Sequence, residues 1–178
     1  SFPQMSYSYS SNLSFESDFT AFPDRFQKEI TRYCDNGGRV FVSGAYIGSD
    51  LVNRIHATET DSAFAEKVLK INWQTDHAAV TGQVFSVDSL FLPFQSQFTF
   101  NTELKPHIYA VESPDAIDPV SGARTILRYS ENRFSAATAY SGDYSIIVFG
   151  FPFETILGQE HRNQIMQAII HTLLFNSP

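Results

Sequence analysis

The loop SGAYIGSD, residues 43–50, holds the side chains best suited to chemistry in this chain. It follows the apolar segment RVFVS, and ligands bind in the crevice beyond the carboxyl ends of strands in open α/β sheets. Ser43 could act as a nucleophile if the glycine amides of the loop formed an oxyanion hole. Tyr46 and Asp50 could instead contact a ligand. The third interpretation is structural: a tight turn whose glycines take positive φ, with Ser49 or Asp50 capping a short helix. We prefer the turn and keep Ser43, Tyr46, Ser49 and Asp50 as ligand-binding candidates.

Serine hydrolysis at this loop would also need a general base close to Ser43. The histidines are scattered, and the nucleophile-elbow pattern G-x-S-x-G is absent. The five histidines are His56, His77, His107, His161 and His171. Glu154 in PFETI is the carboxylate that would accompany Ser43 in this alternative, and it is a further ligand-binding candidate. Its structural interpretation is the first turn of a short helix, where the helix dipole favours an acidic residue.

Metal and cofactor chemistry have little basis in the sequence. No H-x-x-x-H or H-x-H pair occurs, so neither a metal site nor a cofactor is expected. Asp115 and Asp118 in PDAIDP are three residues apart in a proline-containing stretch, which predicts a surface turn rather than a calcium loop. Cys34 is the only cysteine, which excludes an internal disulfide, and we expect it to be a small buried residue.

The composition narrows the classes of partner. The 178 residues carry a formal net charge of −7 with no basic cluster, which argues against nucleic acid and against an anionic membrane surface. No apolar run reaches the roughly 18–20 residues that span a bilayer. Charged residues make up 17% of the chain and aromatic residues 15%. Such a composition suits secreted proteins that bind sugars or contact other domains.

The periodicity predicts one α/β domain over residues 21–178, preceded by an arm over residues 1–20. Helices are predicted at about 22–35, 61–71 and 160–175 from apolar residues at helical spacing. RVFVS and SIIVFG are apolar throughout, which is typical of central parallel strands buried on both faces. The stretch between the second helix and SIIVFG has short β-prone runs separated by turn residues, which predicts antiparallel hairpins. The expected fold is a mixed central sheet with parallel core strands flanked by helices and an antiparallel β-rich insert.

Two strings carry a resemblance to a known family. RYCDNGGRVFVSGAYIGSDL, together with YSIIVFGFPFETI and RNQIMQAIIHTLL, resembles the C-terminal α/β domain of secreted proteins of Gram-negative gut bacteria named xanthan lyases or N-acetylmuramoyl-L-alanine amidases. The resemblance spans most of residues 22–175. It implies an extracellular or periplasmic location and a link to polysaccharide or cell-wall processing, with sibling domains of a longer chain, and possible carbohydrate or a second copy, as partners.

More distantly, GG followed by an apolar strand and a glycine-containing loop is similar to the class I glutamine amidotransferase-like, flavodoxin-like superfamily. That superfamily includes a non-catalytic middle domain that helps β-galactosidases to trimerise. Its catalytic members carry a Cys in G-x-C-x-G and a His in F-H-P-E. Here FPFE keeps Glu154 but has Pro152 at the histidine position, and G-x-C-x-G is absent, so glutamine amidotransfer is not expected.

The resemblance therefore implies a non-catalytic accessory or interaction module, with a serine-type hydrolase using Ser43 and Glu154 as the alternative. It also implies a strand–helix unit before the NGG strand, which residues 1–20 do not supply. We accordingly expect an exposed apolar sheet edge that is covered by residues 1–20 or by a second copy.

Overall fold

The computed structural model describes residues 20–55, 57–93 and 95–175. Its helices are α1 (Asp24–Asp35), α2 (Ile47–Val52), α3 (Glu59–Phe64, continued by a π-helical turn over Ala65–Leu69) and α4 (Gln159–Phe175), with a 3-10 turn at Phe153–Thr155. Its strands are β1 (Arg39–Ser43), β2 (Ile71–Thr75), β3 (Gln83–Ser86), β4 (Gln97–Thr99), β5 (Ala116–Pro119), β6 (Arg124–Tyr129), β7 (Ser135–Ser141) and β8 (Ser145–Phe149).

The main sheet has six strands in the order β1-β8-β7-β6-β3-β4, and β2 pairs with β5 in a separate two-stranded sheet. β1 and β8 run parallel, with Phe41 opposite Ile147, as the two apolar segments predict. Every other strand pair in the described chain is antiparallel. The sheet is therefore a curled, mostly antiparallel one.

The predicted fold class, a parallel flavodoxin-like core flanked by helices, is wrong. The single parallel pair lies at one side of the sheet, and β1 forms its edge rather than its centre. All five residues of β8 are buried, whereas no residue of β1 is fully buried. An apolar run reports a strand that can be covered on both faces, but it does not say whether the neighbouring strands are parallel or present. The prediction from the apolar sequence therefore placed β1 wrongly in the interior of the sheet.

Two of the predicted helices are confirmed, as α1 and α4, and α4 packs on β1 and β8. The third prediction, a helix at 61–71, is wrong at its end. α3 begins with a capping box in which Thr58 and Asp61 exchange hydrogen bonds. Lys70 takes a left-handed conformation (φ +61°) and ends the helical segment, so that Ile71 begins β2.

β8 separates two apolar clusters because alternate residues of a strand point to opposite faces. Phe149 and Ile147 belong to a cluster that also contains Phe100 and Phe151. Ile146 and Val148 belong to the second cluster, together with residues of α2, α3 and β2. The second cluster fixes the two-stranded sheet and the short helices to the main sheet. None of the helices in the described residues is both long and apolar enough to cross a bilayer.

Gly150, directly after β8, marks a close approach of two backbone segments. Asp115 N–H donates to Gly150 O at 2.7 Å, and a Cβ at Gly150 would collide with the Asp115 carbonyl oxygen. We expect Gly150→Ala to lower the melting temperature by roughly 5–10 °C, because a backbone atom cannot move aside without repacking the core. Thermal unfolding followed by circular dichroism measures the change.

The matched control is Gly44→Ala, where the added Cβ would meet the flexible end of Ile47 at 3.2 Å. A Gly150→Ala protein that melts together with this control would show that the two segments are not held at the observed separation.

Candidate functional site

The loop after β1 forms the predicted turn and short helix, but with different residues in the decisive roles. Tyr46, not a glycine of the loop, takes the left-handed conformation (φ +64°), and its side chain is 51% exposed. Neither Ser49 nor Asp50 caps α2. The cap is instead Asp115, whose Oδ2 accepts hydrogen bonds from Gly48 N–H at 2.7 Å and Ser49 N–H at 3.2 Å.

Asp115 is completely buried, so the predicted surface turn is wrong at this residue. Its Oδ1 accepts a hydrogen bond from Trp73 Nε1 at 3.2 Å. Burial raises the pKa of Asp115, and the hydrogen bonds from Ser49, Gly48 and Trp73 offset only part of that rise. The prediction failed because Ala116–Pro119 is a strand that pairs with β2, a long-range pairing to which the local P-D and D-P signals do not point.

Three of the candidate residues, Tyr46, Ser49 and Asp50, line one open cleft of about 620 Å³ at the carboxyl end of β1. We call it the Tyr46 cleft. Its other lining residues are Thr20, Ala21, Ala45, Asn53, Arg54 and Asp76.

Ion pairs and hydrogen bonds fix several of the residues that line the Tyr46 cleft. Asp50 Oδ2 accepts a hydrogen bond from Ala21 N–H at 2.7 Å. The Arg54 guanidinium lies between Asp50 Oδ1, at 3.8 Å, and Asp61 Oδ2, at 3.6 Å. Burial would raise the pKa of Asp61, but hydrogen bonds from Thr58 and Gln27 and the charge of Arg54 outweigh it and hold that pKa below its ordinary value.

The other two candidates, Ser43 and Glu154, lie outside the Tyr46 cleft lining and are engaged elsewhere. Ser43 Oγ accepts a hydrogen bond from Phe153 N–H at 3.3 Å. Glu154 lies in the 3-10 turn after β8, and its carboxylate accepts a hydrogen bond from Tyr109 Oη at 2.7 Å. Burial and then the Glu154 carboxylate raise the pKa of Tyr109. Neither contact joins Ser43 to Glu154 or to a proton acceptor.

Sequence reasoning missed a serine–histidine–aspartate contact at another position. Ser113 Oγ lies 3.1 Å from His77 Nδ1, and Asp76 Oδ1 lies 3.3 Å from the same nitrogen. A catalytic triad needs the serine and the carboxylate on different ring nitrogens. Ser113 is also 1% exposed, so no substrate reaches it in this conformation. The arrangement is a polar contact that fixes the loop after β2.

The remaining described histidines do not reach Ser43 through any recorded contact. His161 contacts the carbonyl oxygen of Leu157, and His171 packs on Phe175. His56 lies outside the described residues. In the described ranges, no group of three His, Cys, Asp or Glu side chains is arranged to hold a metal ion.

A second groove of about 820 Å³, lined mainly by apolar side chains, runs along the free side of β1, and we call it the edge groove. One wall is β1 itself. The other is the apolar stripe of α1, in which Phe26 is 52% and Tyr33 is 55% exposed. Among the described residues, this side of β1 carries no further strand. The expected covering of this edge by residues 1–20 stays a prediction, because residues 1–19 lie outside the described residues.

The hydrogen-bond pattern shows which backbone groups of β1 face the edge groove. Gly38 O accepts from Ser145 N–H, and Gly44 N–H donates to Phe149 O. Because these groups alternate along a parallel ladder, Val40 and Val42 also face β8. The backbone groups of the intervening residues, Arg39, Phe41 and Ser43, point away from the sheet. In the described chain, β1 has no second strand partner to bond them.

Comparison with known proteins shows the fold alone. No family model and no curated protein sequence matches the chain. The mmIFT52 N-terminal domain is similar with a TM-score of 0.58 and 14% identity, over 85% of this chain and 72% of that chain. A cold-adapted β-galactosidase from Rahnella sp. R3 is similar with a TM-score of 0.55 and 14% identity, over 87% of this chain. This chain spans only 21% of the β-galactosidase.

A third solved structure, the exo-β-1,4-mannosidase Op5Man5 from Opitutaceae bacterium strain TAV5, gives a TM-score of 0.49 and 11% identity. That likeness covers 84% of this chain and 23% of the mannosidase. One carbohydrate-active enzyme, the β-galactosidase, is thus among the structures with a similar chain path.

Asp115→Ala tests the buried cap of α2. Removing the carboxylate leaves the Gly48 and Ser49 amides and the Trp73 indole N–H without their acceptor. We expect the free energy of unfolding to fall by about 3 kcal/mol or more, since each buried donor left unpaired costs roughly 1–3 kcal/mol. Urea unfolding monitored by Trp73 fluorescence gives the value. Asp118→Ala, half-buried in the strand that follows Asp115, is the control and should change stability by less than about 1 kcal/mol.

Asp61 predicts a pH dependence of stability. Its pKa is lower in the folded than in the unfolded chain, so its stabilising contribution is present above the unfolded pKa and is lost as the pH falls through the folded pKa. The free energy of unfolding should fall less steeply below about pH 5 in Asp61→Asn than in the wild type. Urea titrations over this range measure both slopes, with Glu59→Gln, exposed in the same helix, as control. Identical slopes for Asp61→Asn and the wild type would contradict the assignment.

Proposed function

We propose that this domain is a non-catalytic accessory module of an exported protein linked to polysaccharide or cell-wall processing. It docks onto a sibling domain of that protein through the free edge of β1. The occupant of the edge groove is an extended segment of the sibling domain, which adds to the sheet as a further strand. Main-chain hydrogen bonds would supply much of the affinity, and the apolar wall of α1 would select the side chains.

The observation that carries this proposal is the combination of an open strand edge with an apolar groove. Arg39, Phe41 and Ser43 present backbone donors and acceptors along one line, as a docking strand requires. The exposed rings of Phe26 and Tyr33 lie beside that line. A strand entering the groove would bond the free backbone groups and cover both rings in one step.

Two further observations support the wider setting. In the β-galactosidase the similar region is about a fifth of the chain, so this fold is compatible with a place among other domains. The low charge, the high aromatic content and the resemblance to secreted gut-bacterial proteins support an exported, polysaccharide-linked parent. The alternative, hydrolysis at Ser43 with Glu154, gains no support from the contacts of these two side chains.

Hydrogen exchange measured by NMR tests the docking strand at single residues. In the isolated chain, the amides of Val40 and Val42 should exchange slowly, and those of Phe41 and Ser43 should exchange fast. When the sibling domains of the parent protein are added, the Phe41 and Ser43 amides should become protected. Protection of both amides in the isolated chain at every protein concentration would contradict the proposal, and protection that grows with concentration would assign the edge to a second copy instead.

A pair of proline variants separates docking from folding. Arg39→Pro removes an N–H that points to the edge groove, so the sheet should stay intact while binding of the sibling domain weakens at least about tenfold. Val40→Pro removes an N–H that bonds β8 and should instead lower the melting temperature strongly. Arg39→Ala controls for the loss of the guanidinium. Unchanged binding by a folded Arg39→Pro protein would show that the partner does not use this edge.

A further inference from the structure

The Tyr46 cleft is a second surface, separate from the edge groove in its chemistry. The edge groove is lined mainly by apolar side chains, whereas the Tyr46 cleft combines one exposed aromatic ring with carboxylate, amide and guanidinium groups. Its volume of about 620 Å³ falls within the range of small-molecule sites. Its lining comes from the loop after β1, from α2 and the turn that follows it, from the bend after β2, and from Thr20 and Ala21 before α1.

Tyr46 is the apolar contact surface of this cleft. Its left-handed backbone would be less costly for glycine, so a tyrosine at this position carries local strain. The ring is half exposed, and no stacking partner for it is recorded in the described chain. A flat ring with a free face and a polar hydroxyl is suited to a ligand that has one apolar face and polar edges.

The polar groups of the cleft carry both signs of charge. Asp50, Asp76 and Arg54 line it together with the amide of Asn53. Arg54 Nε is buried and has no hydrogen-bond acceptor among the described residues, and its 3.8 Å separation from Asp50 Oδ1 exceeds hydrogen-bonding distance. Asp50 Oδ1 therefore keeps accepting capacity that a ligand hydroxyl could use, and the terminal nitrogens of Arg54, which donate no hydrogen bond among the described residues, keep donating capacity.

These features select among ligand classes. The two carboxylates disfavour a phosphate or another strong anion, and Arg54 disfavours a metal cation. A purely apolar ligand would leave the carboxylates and the guanidinium without partners. A pyranose has an apolar face for Tyr46 and hydroxyl groups for Asp50, Asn53 and Arg54. We propose that the Tyr46 cleft binds a neutral sugar unit, with Tyr46 stacked on the ring face and these three side chains hydrogen-bonded to its hydroxyls.

The test is an NMR titration of the full chain with the neutral disaccharides cellobiose, lactose and β-1,4-mannobiose, beside galacturonic acid. At least one neutral disaccharide should shift the amide signals of residues 45–54 and of Asp76, with a dissociation constant in the millimolar range or below. Tyr46→Gly should weaken this binding at least about tenfold, since it removes the stacking ring. Tyr46→Phe, which keeps the ring, should retain it within a few-fold.

Tyr46→Gly also relieves the strained backbone, so its melting temperature should not fall, and lost binding cannot be attributed to unfolding. Gln95→Gly is the matched control, because Gln95 is exposed and left-handed (φ +61°) but lies away from the cleft. The proposal is overturned if no neutral disaccharide binds at concentrations up to about 10 mM. It is also overturned if galacturonic acid alone binds, or if the shifts map outside the cleft. Because docking at β1 is measured separately at Phe41 and Ser43, either proposal can fail without the other.

Discussion

The rest of this structure depends on the hydrogen bonds that the buried Asp115 carboxylate accepts. A carboxylate that is removed from water is stable only where hydrogen-bond donors surround it. Here the donors are backbone amides in the first turn of α2 and the indole N–H of Trp73 in β2. Asp115 itself stands at the entry to β5. One side chain therefore links the loop after β1 to both strands of the smaller sheet, across 67 residues of sequence.

The same residue imposes packing constraints through its backbone. Its carbonyl oxygen accepts a hydrogen bond from the fully buried Tyr129 hydroxyl at 2.8 Å, and it lies so close to Gly150 that no side chain fits there. Gly48, whose amide caps onto the carboxylate, has the Trp73 ring where a Cβ would be, at 2.9 Å. These contacts fix the start of α2, and α2 in turn determines where Tyr46 and Asp50 stand in the cleft. The candidate site thus inherits its geometry from a residue outside it.

Local periodicity was enough to predict α1, α4 and the parallel pairing of β1 with β8, because each rests on neighbouring residues or on a simple apolar run. It failed where the deciding contact was distant. Ile71 continues the helical spacing of Val68, yet Lys70 ends the helix and β5 recruits Ile71 into a strand. Asp115 has no local signal of burial, since its three donors lie 42 to 67 residues away. Tyr46, Ser49 and Asp50 could be named from their loop, but their separation from Ser43 and Glu154 depends on the turn after β8.

The open edge of β1 lacks most of the features that usually protect a sheet edge. Sheet edges are commonly protected by charged side chains, prolines or bulges that prevent another strand from adding. β1 contains one charged residue, Arg39, and its guanidinium is turned to the carbonyl oxygen of Leu173 at the end of α4, at 2.9 Å. Beside this edge, Phe22 is buried just before α1, whereas Phe26 and Tyr33 of α1 are half exposed, so the apolar stripe of α1 continues past the core that the described residues supply. An edge whose only charge is engaged elsewhere, next to a helix whose apolar stripe is only partly buried, lacks the features that commonly prevent a further strand from adding.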